Sequence, residues 1–422
     1  MKEFSGIVNI YRALAQWNYG LFALGNQASL IGRWVQRVAI GWYTWELTGS
    51  SAWLGAMAFA DMFPTIVCAP IAGVIADRWD KIKLIKLVQL FSCFQALALF
   101  ALMVTGHLTV EILFLLALLL GVFTGLGQPV RVAVIPDLVK EGSLAAAISI
   151  NALAFHVGRF AGPAIAGLII KTGGIAYAFA INAGCFLLFL AALMMIRPHA
   201  ASGMDTRKDH NFLGKMADGF RYVRGHAGIR PLFILIIALA IGARPFVDLF
   251  PAFADVVFKS GVEGLAILMS SVGIGAVLGG FYIAGRSEIT GLVRLILIAV
   301  SISAVSLLTF ASVDQIWIAA VIVAVFGMSE TMIGVSTQTL ILSTISPDMR
   351  GRVISIYVVV FRALPAFGAL VMGAAAEFVG LRWPVLAGGI IVIVMLSWAL
   401  TRYNSIRTAL ESTTPGVPAK NG

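Results

Sequence analysis

Charge is scarce in this chain. Asp, Glu, Lys and Arg make up 12% of its 422 residues, against about 25% in a typical soluble domain. Hydrophobic residues reach 60%, and the mean hydropathy is +0.95. A soluble core of this size could not hide so much apolar side chain, so lipid must be the solvent for much of it. That argues against a soluble enzyme, a disordered chain or a secreted disulfide scaffold. Cysteine is scarcer still. Cys68, Cys93 and Cys185 lie singly in apolar runs, without disulfide or metal-ligand spacing, and read as buried, inert thiols. No G-x-x-x-x-G-K-S/T loop occurs, so ATP hydrolysis is not expected. No His/Cys cluster points to a metal, no nucleophile–base pair to a catalytic residue, and no cofactor is implied. The first 20 residues lack an apolar core followed by a small-residue cleavage site. No removable signal peptide is expected, and the first hydrophobic segment should stay in the membrane as an anchor.

What the chain does have is long apolar runs. A helix needs about 20 such residues to cross roughly 30 Å of hydrocarbon. Twelve spans are expected, near 17–47, 52–76, 84–105, 110–136, 145–171, 176–196, 230–257, 262–284, 291–312, 315–343, 353–377 and 383–403. The runs lack period-2 alternation, which argues against a membrane β-barrel. The expectation is an all-α membrane protein with twelve transmembrane helices in two pseudo-symmetric six-helix bundles. The bundles would cover 1–196 and 230–403, joined by a cytoplasmic loop at 197–229 and followed by a cytoplasmic tail at 404–422. Glycine, at 43 residues, exceeds the usual share of about 7% and suits helices whose backbones approach closely.

The basic residues set the orientation. With the N-terminus inside, cytoplasmic segments carry 21 Lys and Arg, and the outer loops carry only Lys171, Lys259 and Arg382. This inside bias also accounts for the net charge of +10, so nucleic acid is not an expected partner. The halves repeat faintly. Ser149, Phe155, Gly162 and Gly167 match Ser355, Phe361, Gly368 and Gly373 at an offset of 206; Gly49, Met57 and Gly73 match Gly261, Met269 and Gly285 at an offset of 212. Two parallel membrane repeats suggest a transporter with its site at the interface of the halves.

Between spans two and three the chain reads Gly73-Val-Ile-Ala-Asp77-Arg78-Trp-Asp80-Lys81-Ile-Lys83. This resembles the inner-loop signature of the major facilitator superfamily, G-x-x-x-D-R/K-x-G-R/K-R/K, with Asp80 in place of a glycine and Ile82 in place of a basic residue. Asp77 suits a helix N-terminus, where a carboxylate is favoured. The resemblance implies that Asp77, with Gly73, Arg78 and Lys81, holds the halves together on the inner face, its counterpart lying near Arg350 and Arg352. Span five carries Gly158-Arg159-Phe-Ala-Gly162-Pro163, which resembles the G-x-x-x-G-P motif of exporters in that superfamily. Small residues four apart make a packing face, and Pro163 removes a backbone donor and permits a bend. The stretches 32–55, 125–167 and 345–373 look like the enterobactin-exporter and macrolide-efflux branch.

Ionisable groups at membrane depth are costly and usually functional. Six arginines fall there: Arg33, Arg37, Arg131, Arg159, Arg244 and Arg362. Deep carboxylates are Asp61, Asp248 and Glu330, and His156 lies three residues before Arg159. In one reading Arg33, Arg37, Arg159, Arg244 and Arg362 line a cavity for an anionic or acceptor-rich substrate. In the other they are structural partners of the acids or reach the interface. Arg244 and Asp248, four apart, are a candidate pair, and so are Arg33 and Asp61. Arg131 reads as structural. Asp61, Asp248, Glu330 and His156 are the candidate proton carriers.

The resemblance implies a non-enzymatic secondary transporter of the bacterial inner membrane, with both termini cytoplasmic. It would export a small organic molecule (siderophore-like, drug-like or an anionic metabolite) by alternating access, with protons moving in antiport, as a monomer in the lipid bilayer. The alternatives are an importer or lipid flippase on the same scaffold, and a non-transporting receptor or scaffold.

Overall fold

Inside hydrocarbon a backbone N–H or C=O finds no water, and only a helix satisfies all of them within one segment. The apolar runs accordingly fold as helices in the computed structural model, which describes residues 10–140, 142–197, 212–286, 288–362 and 364–411. The side chains of 69–70, 73–74, 76–78, 212–217, 347–348 and 362 lie outside that description. No strand occurs among the described residues. The first half comprises α1 (Trp17–Thr48), α2 (Ser51–Arg78), α3 (Lys81–Val104), α4 (Val110–Ala133), α5 (Leu144–Gly173) and α6 (Ile175–Met195). The second comprises α7 (Ile229–Val257), α8 (Gly261–Ala284), α9 (Leu292–Ser312), α10 (Ile316–Thr344), α11 (Met349–Val379) and α12 (Arg382–Thr401). Eleven helices are long and apolar enough to cross a membrane among the described residues. The remaining expected span, α1, is 32 residues long, but Asn26, Gln27, Arg33, Gln36 and Arg37 dilute its apolar character.

Helix ends follow local chemistry. Asp80 caps α3, its carboxylate accepting from the amides of Ile82 (2.9 Å) and Lys83 (3.1 Å). A carboxylate in the inner loop thus does serve a helix N-terminus, but it is Asp80, the residue that departs from the superfamily pattern. Asp77 lies inside α2 rather than ahead of a helix. The side chains of Gly73, Asp77 and Arg78 fall outside the described residues. Lys81 pairs with Asp137 at 2.8 Å, tying the start of α3 to the short helix Ile135–Leu138.

The chain divides into two compact units, Met1–Arg207 with Asp248–Gly273, and Lys208–Val247 with Ile274–Gly422. In the first unit, α5 crosses α1 through its glycines. A Cβ on Gly158 would stand 3.2 Å from Leu30 Cβ and 3.3 Å from Trp34 Cδ1, and one on Gly162 would meet the Trp34 side chain. Pro163 is buried beside them. The α4–α2 crossing is equally close, with Gly121 against the carbonyls of Ala60 and Asp61. Gly125 meets Cys68 there, and Gly32 of α1 meets Cys185 of α6. Of the three thiols only Cys93 is fully buried; Cys68 and Cys185 are half-buried at these helix contacts, because the neighbouring glycine supplies the space while one side stays open.

The second unit repeats these crossings. Gly368 of α11 packs on Ile241 and Pro245 of α7, as Gly162 of α5 packs on α1. Gly279 of α8 meets the Met328 carbonyl of α10. The offset of 206 that relates Gly162 to Gly368 therefore relates two equivalent helix crossings. Gly242 and Gly388 bring the backbones of α7 and α12 into direct contact. Phe246 packs edge-on against Phe310 (5.2 Å) and Phe326 (4.8 Å) at the centre of the unit. A linker helix, Phe212–Gly225, lies ahead of α7; its Asp218 accepts from Arg352 at 3.0 Å. Arg350 donates to the Ile345 carbonyl at 2.8 Å.

Many large apolar side chains face outward in both units, among them Phe94, Leu168, Trp317, Phe378 and Trp383. A water-soluble monomer does not display so much apolar surface, but lipid accommodates it.

Two outcomes follow for stability. Even Gly388→Ala drives a Cβ into the Gly242 carbonyl, and overpacking of this kind costs about 1–3 kcal/mol; its thermal melt in detergent should fall well below that of the wild type. At the entry to α7, His226 Nδ1 accepts from the amides of Gly228 and Ile229, both at 3.2 Å, and burial pushes its pKa below 6.5. The unfolded state then binds more protons, so this contribution is present above about pH 6.5 and is lost as the pH falls from there through the lower folded-state value. Melts at about pH 8 and about pH 5 should show a larger drop for the wild type than for His226→Asn, which keeps an acceptor that does not titrate.

Candidate transport site

The ionisable groups at membrane depth gather in three clusters of different charge. The first lies in the first unit. Arg37 of α1 places Nη1 3.2 Å from Asp61 Oδ2 of α2 and Nη2 3.0 Å from Asp248 Oδ1 of α7. One guanidinium thus serves two carboxylates, and the triad carries one formal negative charge when both acids are ionised. Arg37 and Asp61 are about a third exposed, and Asp248 is 13% exposed. The Arg37 guanidinium also lies 5.5 Å over the Trp34 ring, a further cation contact. Asp248 begins the stretch Asp248–Gly273 that packs with this unit. Asp255 further along accepts from Trp45 Nε1 at 2.9 Å, and Glu263 pairs with Lys171 at 2.8 Å.

The second cluster lies in the second unit and is neutral. Arg244 Nε donates to Glu330 Oε2 at 2.6 Å, and Nη1 donates to the Phe361 carbonyl at 2.7 Å. The guanidinium stacks 3.4 Å above the Phe361 ring. Ser303 donates to the other Glu330 oxygen at 3.3 Å. Both side chains are nearly buried, at 13% and 8% exposure. A nearly buried one-to-one pair, with the second Glu330 oxygen and an Arg244 Nη1–H also bonded, has the chemistry of a fastener between helices.

This geometry replaces both pairings expected from spacing. Arg244 and Asp248 do not meet, because α7 leaves the α-helix after Gly242 and runs as a 3₁₀ turn from Arg244 to Leu249. With about three residues per turn, positions four apart no longer share a face. Asp248 is turned to Arg37 and Arg244 to Glu330. Asp61 is engaged by Arg37, one turn beyond Arg33 on α1.

The third cluster is cationic and lies in the first unit. Arg131 of α4 is buried, with neutral acceptors: Asn26 Oδ1 (3.1 Å), Ser29 Oγ (3.3 Å) and Gln89 Oε1 (2.8 Å). Its guanidinium lies 5.1 Å over the Phe189 ring. Arg33 donates to Thr124 at 3.3 Å, and both arginines line one small cavity. A second polar set joins the same helices, with Gln36 donating to Gln95 and accepting from Asn182. Arg33 is nominated from sequence and Arg131 reads there as structural, but their polar neighbours are not singled out, although a signal existed. Asn26, Ser29, Arg33 and Gln36 fall at i, i+3, i+7 and i+10, a polar stripe along one face of α1.

The other nominated residues are more dispersed. Arg159 is half-buried on α5. His156 is half-buried too, and its Nδ1 has no hydrogen-bond partner among the described residues. The Arg362 side chain lies outside the described residues. No group of three or more potential metal ligands occurs among those described.

All-helical architecture, paired six-span halves and charge gathered at membrane depth define a membrane transporter. Residues 11–415 match the family described as Transmembrane secretion effector, and the chain belongs to this family of major facilitator transporters; it is not an enzyme. The staphyloferrin A transporter of Staphylococcus aureus is 22% identical, the alignment covering 92% of this chain and 96% of that protein. Macrolide efflux protein A of Streptococcus pyogenes is 22% identical over 88% of this chain and 93% of its own length. The enterobactin exporter EntS of Salmonella typhi is 26% identical over 78% and 77%. Among solved structures, the inward-facing, unoccupied bacterial homologue of the human lysosomal transporter Spinster superposes with a TM-score of 0.72 at 14% identity, covering 94% of this chain and 98% of that one. The nucleoside transporter NupG gives 0.72 at 14% identity, with coverage of 92% and 99%. These likenesses carry the fold.

The contrast between the clusters has a direct test. Removing one partner of a buried ion pair costs about 3–5 kcal/mol, so Glu330→Gln should lower the melting temperature much more than Asp61→Asn. Asp61→Asn leaves Arg37 paired with Asp248. Equal losses would show that the two pairs are equally structural.

Proposed function

We propose that this transporter exports a small organic molecule, siderophore-like, drug-like or an anionic metabolite, across the bacterial inner membrane by proton antiport. The substrate site opens to one side of the membrane at a time, the termini lie in the cytoplasm, and the working unit is a monomer. The two six-span halves, 1–196 and 230–403, act as the two repeats of the cycle, with 197–229 between them and 404–422 as tail. Three relatives support the class of cargo by their names, a staphyloferrin A transporter, a macrolide efflux protein and an enterobactin exporter. Macrolide efflux and enterobactin export also favour the outward direction.

The observation that carries proton coupling is the sharing of Arg37 by two acids. A proton arriving on Asp61 or Asp248 takes the triad from one formal negative charge to zero, which relieves uncompensated charge in a poorly solvated site. It also removes an acceptor from Arg37. Where the proton lands on Asp248, the hold of α1 on the stretch Asp248–Gly273 is loosened, so proton loading and helix contact are the same event. Asp61 and Asp248 are therefore the proton carriers in this reading, and Arg244–Glu330 is a fastener. Arg33, Arg159 and Arg362 remain the groups for the substrate, and His156 a further candidate proton carrier. Gly158, Gly162 and Pro163 form the pliable crossing on α1. Gly73, Asp77, Arg78 and Lys81, with Arg350 and Arg352, form the inner gate.

Everted membrane vesicles provide the test. Collapsing the pH gradient should stop substrate accumulation by the wild type. Asp248→Asn should reduce gradient-driven transport at least tenfold while the protein remains folded in the membrane. Transport indifferent to the gradient excludes antiport, and net flux in the opposite direction assigns an importer or flippase.

A further inference from the structure

The stretch after α12 is more than a tail. Tyr403–Glu411 forms a helix of nine residues, shorter than the roughly 12–15 at which an isolated helix becomes even marginally stable in water. Its helical state therefore depends on what it touches. Ile406 and Leu410, four apart, are buried, while Asn404, Ser405, Arg407 and Thr408 are exposed. One face is packed and the other is free, so helix formation and docking are a single event.

The packed face meets three helices of the second unit, where α7 and α9 begin and α10 finishes. Glu411 Oε1 accepts from the Val293 amide in the first turn of α9 at 2.8 Å. Thr344, the last residue of α10, donates to the Leu410 carbonyl at 3.1 Å. Gly228, just ahead of α7, leaves room for the tail helix: a Cβ there would stand 2.6 Å from Leu410 Cγ and 3.0 Å from Ala409 Cβ. The start of α9 needs such a partner. Its first amides have no acceptor within the helix, and the residue at its N-cap is Gly291, at φ +83° and without a side chain to offer. Glu411 supplies the missing cap from 118 positions away, with the charge that a helix N-terminus favours. Its side chain is only 4% exposed, so water does not compete for the contact. The same three helices meet again at depth. Arg244 of α7 binds Glu330 of α10, and Ser303 of α9 donates to that carboxylate. Phe246, Phe310 and Phe326, which pack together, also come one from each.

We propose that Tyr403–Glu411 is a strap that holds the ends of α7, α9 and α10 in register, with Glu411 as the positioning residue that caps α9. The wall carrying Arg244, Ser303 and Glu330 is then fastened at two levels, by the buried cluster and by the strap. When the strap lifts it unfolds, and the three ends loosen together. The strap lies within the second unit and needs neither a direction of transport, nor proton coupling, nor a substrate.

The test is hydrogen–deuterium exchange of the full-length chain in phosphatidylcholine nanodiscs, read peptide by peptide. Leu410→Lys undocks the strap. Exchange should rise at least tenfold in 403–411 and, together with it, at the start of α7, the start of α9 and the end of α10, while α4 of the first unit stays as in the wild type. Because that variant risks misfolding, Glu411→Ala and Glu411→Gln form a second arm. Glu411→Ala leaves the Val293 amide without an acceptor and should speed exchange at the start of α9 at least tenfold. Glu411→Gln keeps a carbonyl oxygen in place and should restore most of the protection, a rescue that a general loss of stability would not give. The proposal is overturned if the tail of Leu410→Lys exchanges freely while the three helix ends stay protected, or if the wild-type tail is itself unprotected. Unchanged exchange at the start of α9 in Glu411→Ala, or an equal loss in Glu411→Gln, overturns Glu411 as its cap. None of these readouts involves transport, so failure here is separable from failure of the antiport reading.

Discussion

The constraint on which the rest of this structure depends is the cost of charge in hydrocarbon. A bilayer centre offers no water, so each ionised side chain there must find its counter-charge or its hydrogen bonds within the protein. This chain meets that demand in three ways. Arg244 and Glu330 cancel one another and use their remaining atoms on Phe361 and Ser303. Arg37 is shared between Asp61 and Asp248, which leaves an excess of negative charge. Arg131 is cradled by amides and a hydroxyl, which leaves an excess of positive charge. The balanced pair has nothing to exchange with its surroundings. The excess negative charge of the Arg37 cluster is what a proton would relieve.

Glycine supplies the mechanical counterpart. The crossings of α5 on α1 and of α11 on α7 are made at Gly162 and Gly368, and α2 meets α4 as α8 meets α10, again through glycine. Association in lipid has no hydrophobic drive, so close backbone approach and interhelical hydrogen bonds must hold the helices together. Gln36, Gln95 and Asn182 contribute such bonds in the first unit. Gln36 also lowers the apolarity of α1, so the polar residues that make this helix look least like a membrane span bond it to its neighbours.

Much of the architecture was legible in the sequence, because hydropathy and span length are local properties. The apolar runs predicted the helices, and the 206-residue offset picked out Gly162 and Gly368, whose contacts are equivalent. Partners were less legible. The acids and arginines at depth were recognisable one by one, but Arg37 and Asp248 lie 211 positions apart, and no local pattern joins them. The pairing of Arg244 with Asp248 assumed a regular α-helix where the chain tightens into a 3₁₀ turn. Asp80 marked a departure from the superfamily's inner-loop pattern, and its capping of α3 gives that departure a physical reason. Arg131 reads as structural from its place near the inner end of its span; its position beside Arg33 required the packed helices.

The central claim is that the Arg37 triad takes up and releases a proton. Difference infrared spectroscopy of the full-length protein, titrated across the neutral range, reads this directly through the stretching band of a protonated carboxyl group. The account predicts a titrating carboxyl band that is lost or strongly shifted in both Asp61→Asn and Asp248→Asn and unaffected by Arg131→Gln. A band that persists unchanged in both aspartate variants, or a wild type with no titrating carboxyl group, contradicts it.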